Sequence, residues 1–124
     1  MKKNLVNILF VVWSVLILFA SIIPLSQEKH FEFGGSIFRL DYIEHFAVFF
    51  ILGFLYVLKT KLKLQLKLSD ISLLIIYAAF TETIQLIIPG RTFNPMDLVY
   101  NILGLVFSII LINKIKNKVM VRNV

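Results

Sequence analysis

The stretch LVNILFVVWSVLILFASII, from Leu5 to Ile23, carries no charged side chain, is stopped by Pro24, and decides the fold class. As a helix rising 1.5 Å per residue it covers about 29 Å, close to the roughly 30 Å of a bilayer's hydrocarbon core. Three later, mostly apolar runs follow, at about 43–58, 71–88 and 97–112. They are somewhat shorter, roughly 24–27 Å, so the polar first turns of the second and fourth enter the bilayer edge. Lipid offers no partner to unpaired backbone groups, which leaves helices as the spanning structure here. Composition agrees: the 124 residues are 59% hydrophobic and 16% charged, with a mean hydropathy of +0.89. A soluble domain of this size could not hide so much apolar surface. The sequence therefore predicts an all-α, polytopic membrane protein of four transmembrane helices, with residues 1–124 forming one domain.

Lys2 and Lys3 ahead of an apolar run also fit a secretory signal peptide. The run is longer than a usual signal core, and Phe19-Ala-Ser-Ile22 lacks a small-x-small cleavage site, so an uncleaved span is expected. The chain has no cysteine, which excludes disulfides and thiolate metal sites.

The net charge of +6 is distributed by connection. Lys2 and Lys3, then Lys59, Lys61, Lys63 and Lys67, then Lys114, Lys116, Lys118 and Arg122 put ten of the thirteen basic residues on one side. Lys29, Arg39 and Arg91 remain for the other, which also takes Glu28, Glu32, Asp41, Glu44 and Asp97. The positive-inside rule then predicts both termini in the cytoplasm. This charge suits a membrane surface, with no nucleic-acid partner. The inner Lys61–Lys67 connection could meet anionic lipid, although enforcing topology is the preferred reading. Ser69 and Asp70 suit an N-cap for the third span.

In the first outer connection, polar and apolar residues alternate on both sides of Gly34-Gly35. That is the pattern of a short β-hairpin with Phe31, Phe33 and Phe38 toward lipid or helix tops, and an irregular loop is the equal alternative.

Polar groups within the spans are not scattered. Asp41, Glu44 and His45 stand at i, i+3 and i+4 at the start of the second helix. Glu82 and Gln85 share a face of the third, Arg91 lies in the following turn, and Asp97 and Asn101 share a face of the fourth. The alternating topology brings all of them to the outer leaflet, which predicts an outward polar pocket with Glu82 as its deepest charge. Ionisable groups within a bilayer are costly and commonly functional. Each also has a structural reading: Asp41 and Asp97 as helix-start charges, Asn101 and Gln85 as interhelical glue, Arg91 as a loop anchor. Gly104 and Ser108 continue the Asn101 face as small packing residues, and they could also serve a dimer; the oligomeric state stays open.

The series Asp41-Tyr-Ile-Glu-His45-Phe46, Glu82-Thr-Ile-Gln85, Pro89-Gly90-Arg91, Asp97 and Asn101-Ile-Leu-Gly104 resembles the VanZ-like family. The resemblance covers Asp41 to Gly104, with the first span as the usual preceding helix. It implies a protein of the bacterial cell envelope associated with reduced susceptibility to teicoplanin. Two positions depart from the family pattern: Tyr42, where a Lys is usual, and Asn94, where an Asp is common.

Two functions follow as expectations. In the first, a non-enzymatic protein of the bacterial plasma membrane uses the pocket to bind a lipid-linked cell-wall precursor or a lipoglycopeptide. In the second, an integral membrane enzyme acts on an isoprenoid or phospholipid head group, with His45 and Glu82 as acid and base and Arg91 on phosphate. No cofactor is expected. A tight metal motif such as His-Glu-x-x-His is absent, so no metal site is assigned, although Asp41, His45 and Glu82 include metal-ligand types.

Overall fold

The structure, a computed structural model, describes residues 3–23, 30–33, 36–60, 67–91 and 93–121. Four helices dominate it: α1 (Lys3–Ile22), α2 (Leu40–Lys59), α3 (Leu68–Thr83) and α4 (Pro95–Val121). α1, α2 and α4 each contain a segment long and apolar enough to cross a membrane, and α3 reaches that length together with the 3-10 turn that continues it to Ile87. Between α1 and α2, strands β1 (His30–Phe33) and β2 (Ser36–Arg39) pair antiparallel, with His30 opposite Arg39 and Phe33 opposite Ser36. Residues 34 and 35, the side chains of 30–38, and the inner connection at 61–66 lie outside the described residues.

Local chemistry sets the helix ends. β2 runs directly into α2, whose first turn carries Asp41 and whose last carries Lys59, both favourable to the helix dipole. At α3 the N-cap is Lys67 rather than Ser69, and Asp70 reaches back to accept the Lys67 backbone N–H at 3.3 Å. The C-terminal turn of α3 tightens into a 3-10 turn over Ile84–Ile87. A type II turn follows, with Pro89 and Gly90 in its centre. Gly90 has φ +80°, and the Arg91 N–H donates to the Ile88 carbonyl at 3.1 Å.

Asn94 starts α4. Its Oδ1 accepts the Met96 N–H at 3.0 Å, its Nδ2 donates to Asp97 Oδ1 at 2.9 Å, and Pro95 takes the first helical position, where a missing N–H costs nothing. The departure at 94 thus has a structural use, because an aspartate could not donate to Asp97. Asn94→Ala should cost about 1 kcal/mol, read as a lower melting temperature in detergent.

Long-range contacts define the directions. Trp13 Nε1 donates to the Val48 carbonyl at 3.0 Å, Tyr77 donates to the Ser14 carbonyl, and Arg91 donates to the Ser21 carbonyl at 3.2 Å. α1 and α3 therefore run in parallel, with α2 and α4 antiparallel to them. The C-terminal ends of α1 and α3 and the N-terminal ends of α2 and α4 gather at one end of the bundle, here the hairpin end. Lys59, Lys67 and Lys114 lie toward the other.

The tightest pairing is α2 on α4. A Cβ on Gly104 would strike the backbone of Phe46 and Phe50, and one on Gly53 would strike the Ser108 hydroxyl. Gly104 and Ser108 are thus spent on contact within the chain, not on a dimer face. Phe49, Leu52, Tyr56, Leu74, Ala78, Leu105 and Ile17 form the apolar core. The outer faces, such as Ile8, Val11, Val15 and Phe19 on α1, are exposed apolar surface, which lipid would solvate at no cost.

Candidate functional site

At the hairpin end, α2, α3 and α4 converge on one polar centre. Glu82 is its hub and is 1% exposed. Its Oε1 accepts from Asn101 Nδ2 at 2.7 Å and its Oε2 from Gln85 Nε2 at 3.2 Å. Gln85 reaches it because the two residues are one turn apart, at the start of the 3-10 segment.

Glu82 also fixes the orientation of its neighbours. Since the carboxylate accepts, the Asn101 amide nitrogen must face it, which turns Asn101 Oδ1 toward His45 Nδ1 at 3.0 Å. Nδ1 therefore carries the proton, the tautomer following from the network. His45 Nδ1 is also 3.4 Å from Glu82 Oε1, and on the opposite edge of the ring Nε2 is 3.6 Å from Asp97 Oδ2. The imidazole is thus held between two carboxylates supplied by different helices. One ring nitrogen of His45 and one oxygen each of Glu82 and Asp97 lie within 4.8 Å of one another.

Burial is graded across the centre. Asn101 is fully buried and Asp97 is 6% exposed, while a quarter of the His45 side chain is accessible. The expected pocket is therefore closed behind His45 by its own hydrogen bonds, with the imidazole as the accessible member. Arg91, half-buried, ties the 88–91 turn to α1 and acts electrostatically on Glu82 together with His45 and Asp97.

Other expected members stand apart. Asp41 pairs with Arg39 at 2.9 Å, and Glu44 is exposed on the outer side of α2. Sequence reasoning missed Arg39. Its guanidinium lies 5.2 Å from the centre of the Tyr42 ring, which stacks on Tyr100 at 4.8 Å and only 3° from parallel. Tyr42 thus brings a cation to its own position through Arg39. The signal was available in the i, i+3 spacing of Arg39 and Tyr42, but the Tyr100 partner is visible only in three dimensions. Thr81, also buried, only returns its hydroxyl to the Ala78 carbonyl at 2.9 Å.

Four membrane-length helical segments, three of which close on a buried carboxylate–imidazole–amide centre, define a class of polytopic membrane protein with a polar site at one end of the bundle. The chain belongs to the VanZ/LLP1 family, whose model matches residues 4–117, nearly its whole length. No curated protein and no solved structure matches it.

Proposed function

We propose that the protein lies in the bacterial cell membrane with its hairpin end outward, as the lysine distribution favours. There the His45–Arg91 face receives the polar head group of a lipid-linked envelope component or a lipoglycopeptide, and so lowers susceptibility to glycopeptides such as teicoplanin. The observation that carries this reading is the graded burial: Glu82 and Asn101 are sealed in the bundle and hold the more accessible His45 in one tautomer and orientation. Pre-organising an accessible polar group with buried partners suits recognition. Arg91 supplies a guanidinium suited to phosphate or carboxylate. The Arg39–Tyr42–Tyr100 stack provides a nearby amphipathic surface for sugar or peptide.

The test uses purified protein in nanodiscs with labelled lipid-linked cell-wall precursor or teicoplanin. Arg91→Ala should weaken binding by roughly tenfold, the loss of one charge-assisted contact. In cells with matched protein levels, the same substitution should lower teicoplanin tolerance. Unchanged binding and tolerance would sink the reading. The flanking of His45 by two carboxylates also favours the enzyme reading. Turnover of the labelled lipid in the same assay, abolished by His45→Ala, would assign catalysis.

A further inference from the structure

We propose that His45, Glu82 and Asp97 bind one divalent transition-metal ion of the zinc class, whose remaining coordination positions take phosphate oxygens of the head group. The second half of this statement rests on the head-group reading above; the metal site itself does not.

The argument begins with the imidazole. Asn101 Oδ1 takes the Nδ1 proton, so Nε2 is the ring nitrogen left for a cation, and what it faces at 3.6 Å is a carboxylate oxygen of Asp97. A ring nitrogen and a carboxylate oxygen so placed are joined by a cation between them, either a proton or a metal ion. The separation is longer than a good hydrogen bond. It matches the roughly 3.4 Å between neighbouring ligand atoms around a tetrahedral ion with bonds of about 2.1 Å. Glu82, whose Oε1 lies 3.4 Å from the other ring nitrogen, completes a set in which one imidazole nitrogen and one oxygen of each carboxylate lie within 4.8 Å of one another.

The surroundings are those of a metal centre. The His45 N–H opposite the proposed ligand nitrogen is held by Asn101, Glu82 is oriented by Gln85 and Asn101, and Asp97 is oriented by Asn94. Such outer hydrogen bonds commonly set ligand orientation and tautomer. A mixed nitrogen–oxygen set with three protein ligands favours zinc-like ions over magnesium or calcium and leaves at least one position open. Charge then selects the ligand at that position. A dication, two carboxylates and the nearby Arg91 sum to a surplus of one positive charge, which a phosphate neutralises. The competing cation is a proton on Nε2, which would make His45 an imidazolium and leave no metal affinity.

The deciding experiment takes the full chain in nanodiscs free of lipid-linked precursor. The protein is stripped with EDTA, loaded with zinc chloride, desalted, and read by elemental analysis and zinc-edge X-ray absorption. One zinc per chain with a single imidazole in its shell is expected. Asp97→Asn and Glu82→Gln should each weaken zinc binding by about 10-fold or more, while Asp41→Asn, outside the cluster, should leave it intact. The emission of Trp13, the sole tryptophan, verifies the fold of each variant. Substoichiometric zinc in the unaltered chain, zinc without an imidazole, or equal zinc in the folded Asp97 and Glu82 variants would each overturn the proposal. Because precursor is absent, the two readings fail separately. Zinc without head-group binding defeats the earlier one, and head-group binding without zinc defeats this one.

Discussion

Replacing Gly104 by leucine should dismantle the bundle. The α2 backbone passes so close to Gly104 that a single added carbon strikes the Phe46 carbonyl and the Phe50 amide nitrogen. Neither can rotate away, because both belong to a helix whose other side carries the buried Phe49 and Leu52. Relief requires α2 and α4 to separate, which opens the most extensive helix pairing in the chain and pulls His45 from Asn101. Overpacking that side chains can absorb costs about 1–3 kcal/mol; a backbone collision should lie at or above the upper end. The expected result is loss of the monodisperse detergent-solubilised peak, with a shift in Trp13 emission as its bond to Val48 breaks. Gly53→Ala provides the contrast. Its new methyl meets chiefly the Ser108 hydroxyl, a side-chain end that can turn, so its effect should be smaller. Equal stability of the leucine variant and the parent would refute the close approach of α2 and α4.

Asn101→Leu should be almost as damaging, for an electrostatic reason. The amide serves two clients at once: it donates to Glu82 Oε1 and accepts from His45 Nδ1. Leucine removes both partners and leaves a carboxylate that is 1% exposed with Gln85 as its remaining side-chain amide donor. Stripping partners from a buried charge costs about 3–5 kcal/mol. A second substitution separates this from simple packing loss. Glu82→Leu in the same chain removes the stranded carboxylate, so the double variant should recover part of the lost stability, since an apolar pair replaces a paired polar one with little penalty. If the double variant melts lower than Asn101→Leu alone, then Glu82 is not the group that Asn101 satisfies. Thermal unfolding of the three proteins in one detergent makes the comparison.

Both results depend on features that the sequence carried only in part. Hydropathy and length identified the four helices, because spanning lipid demands long apolar runs whose backbone bonds close within the segment. The shared depth of His45, Glu82, Gln85, Asp97 and Asn101 was also legible, since position along a helix follows from counting residues at 1.5 Å each. Small residues at 104 and 108, four apart on the Asn101 face, gave away a close approach. Which helix made that approach was not given, and it proved to be α2.

The candidate site shows the same division. His45, Asp41 and Glu44 share a spacing that groups them on one side of α2, yet only His45 enters the centre. Asp41 turns to Arg39, and its expected place beside His45 and Glu82 is taken by Asp97 from α4. Helical spacing ranks neighbours on one element but says nothing of the rotation of one helix against the next.

By itself, the sequence of this VanZ-family chain determined the number of helices long and apolar enough to cross a membrane, and the end of the bundle at which its out-of-place polar groups collect. These are one-dimensional properties, fixed by hydropathy, rise per residue and charge along the chain. Only the tertiary structure decided which side chains meet there. The contact of Gly104 with the α2 backbone, and of Gly53 with Ser108, sets the rotation of α2 against α4. That rotation puts Asn101 between Glu82 and His45 and brings Asp97 to the far edge of the imidazole. The choice of partners is a property of packing between distant segments, to which no local pattern in the sequence responds.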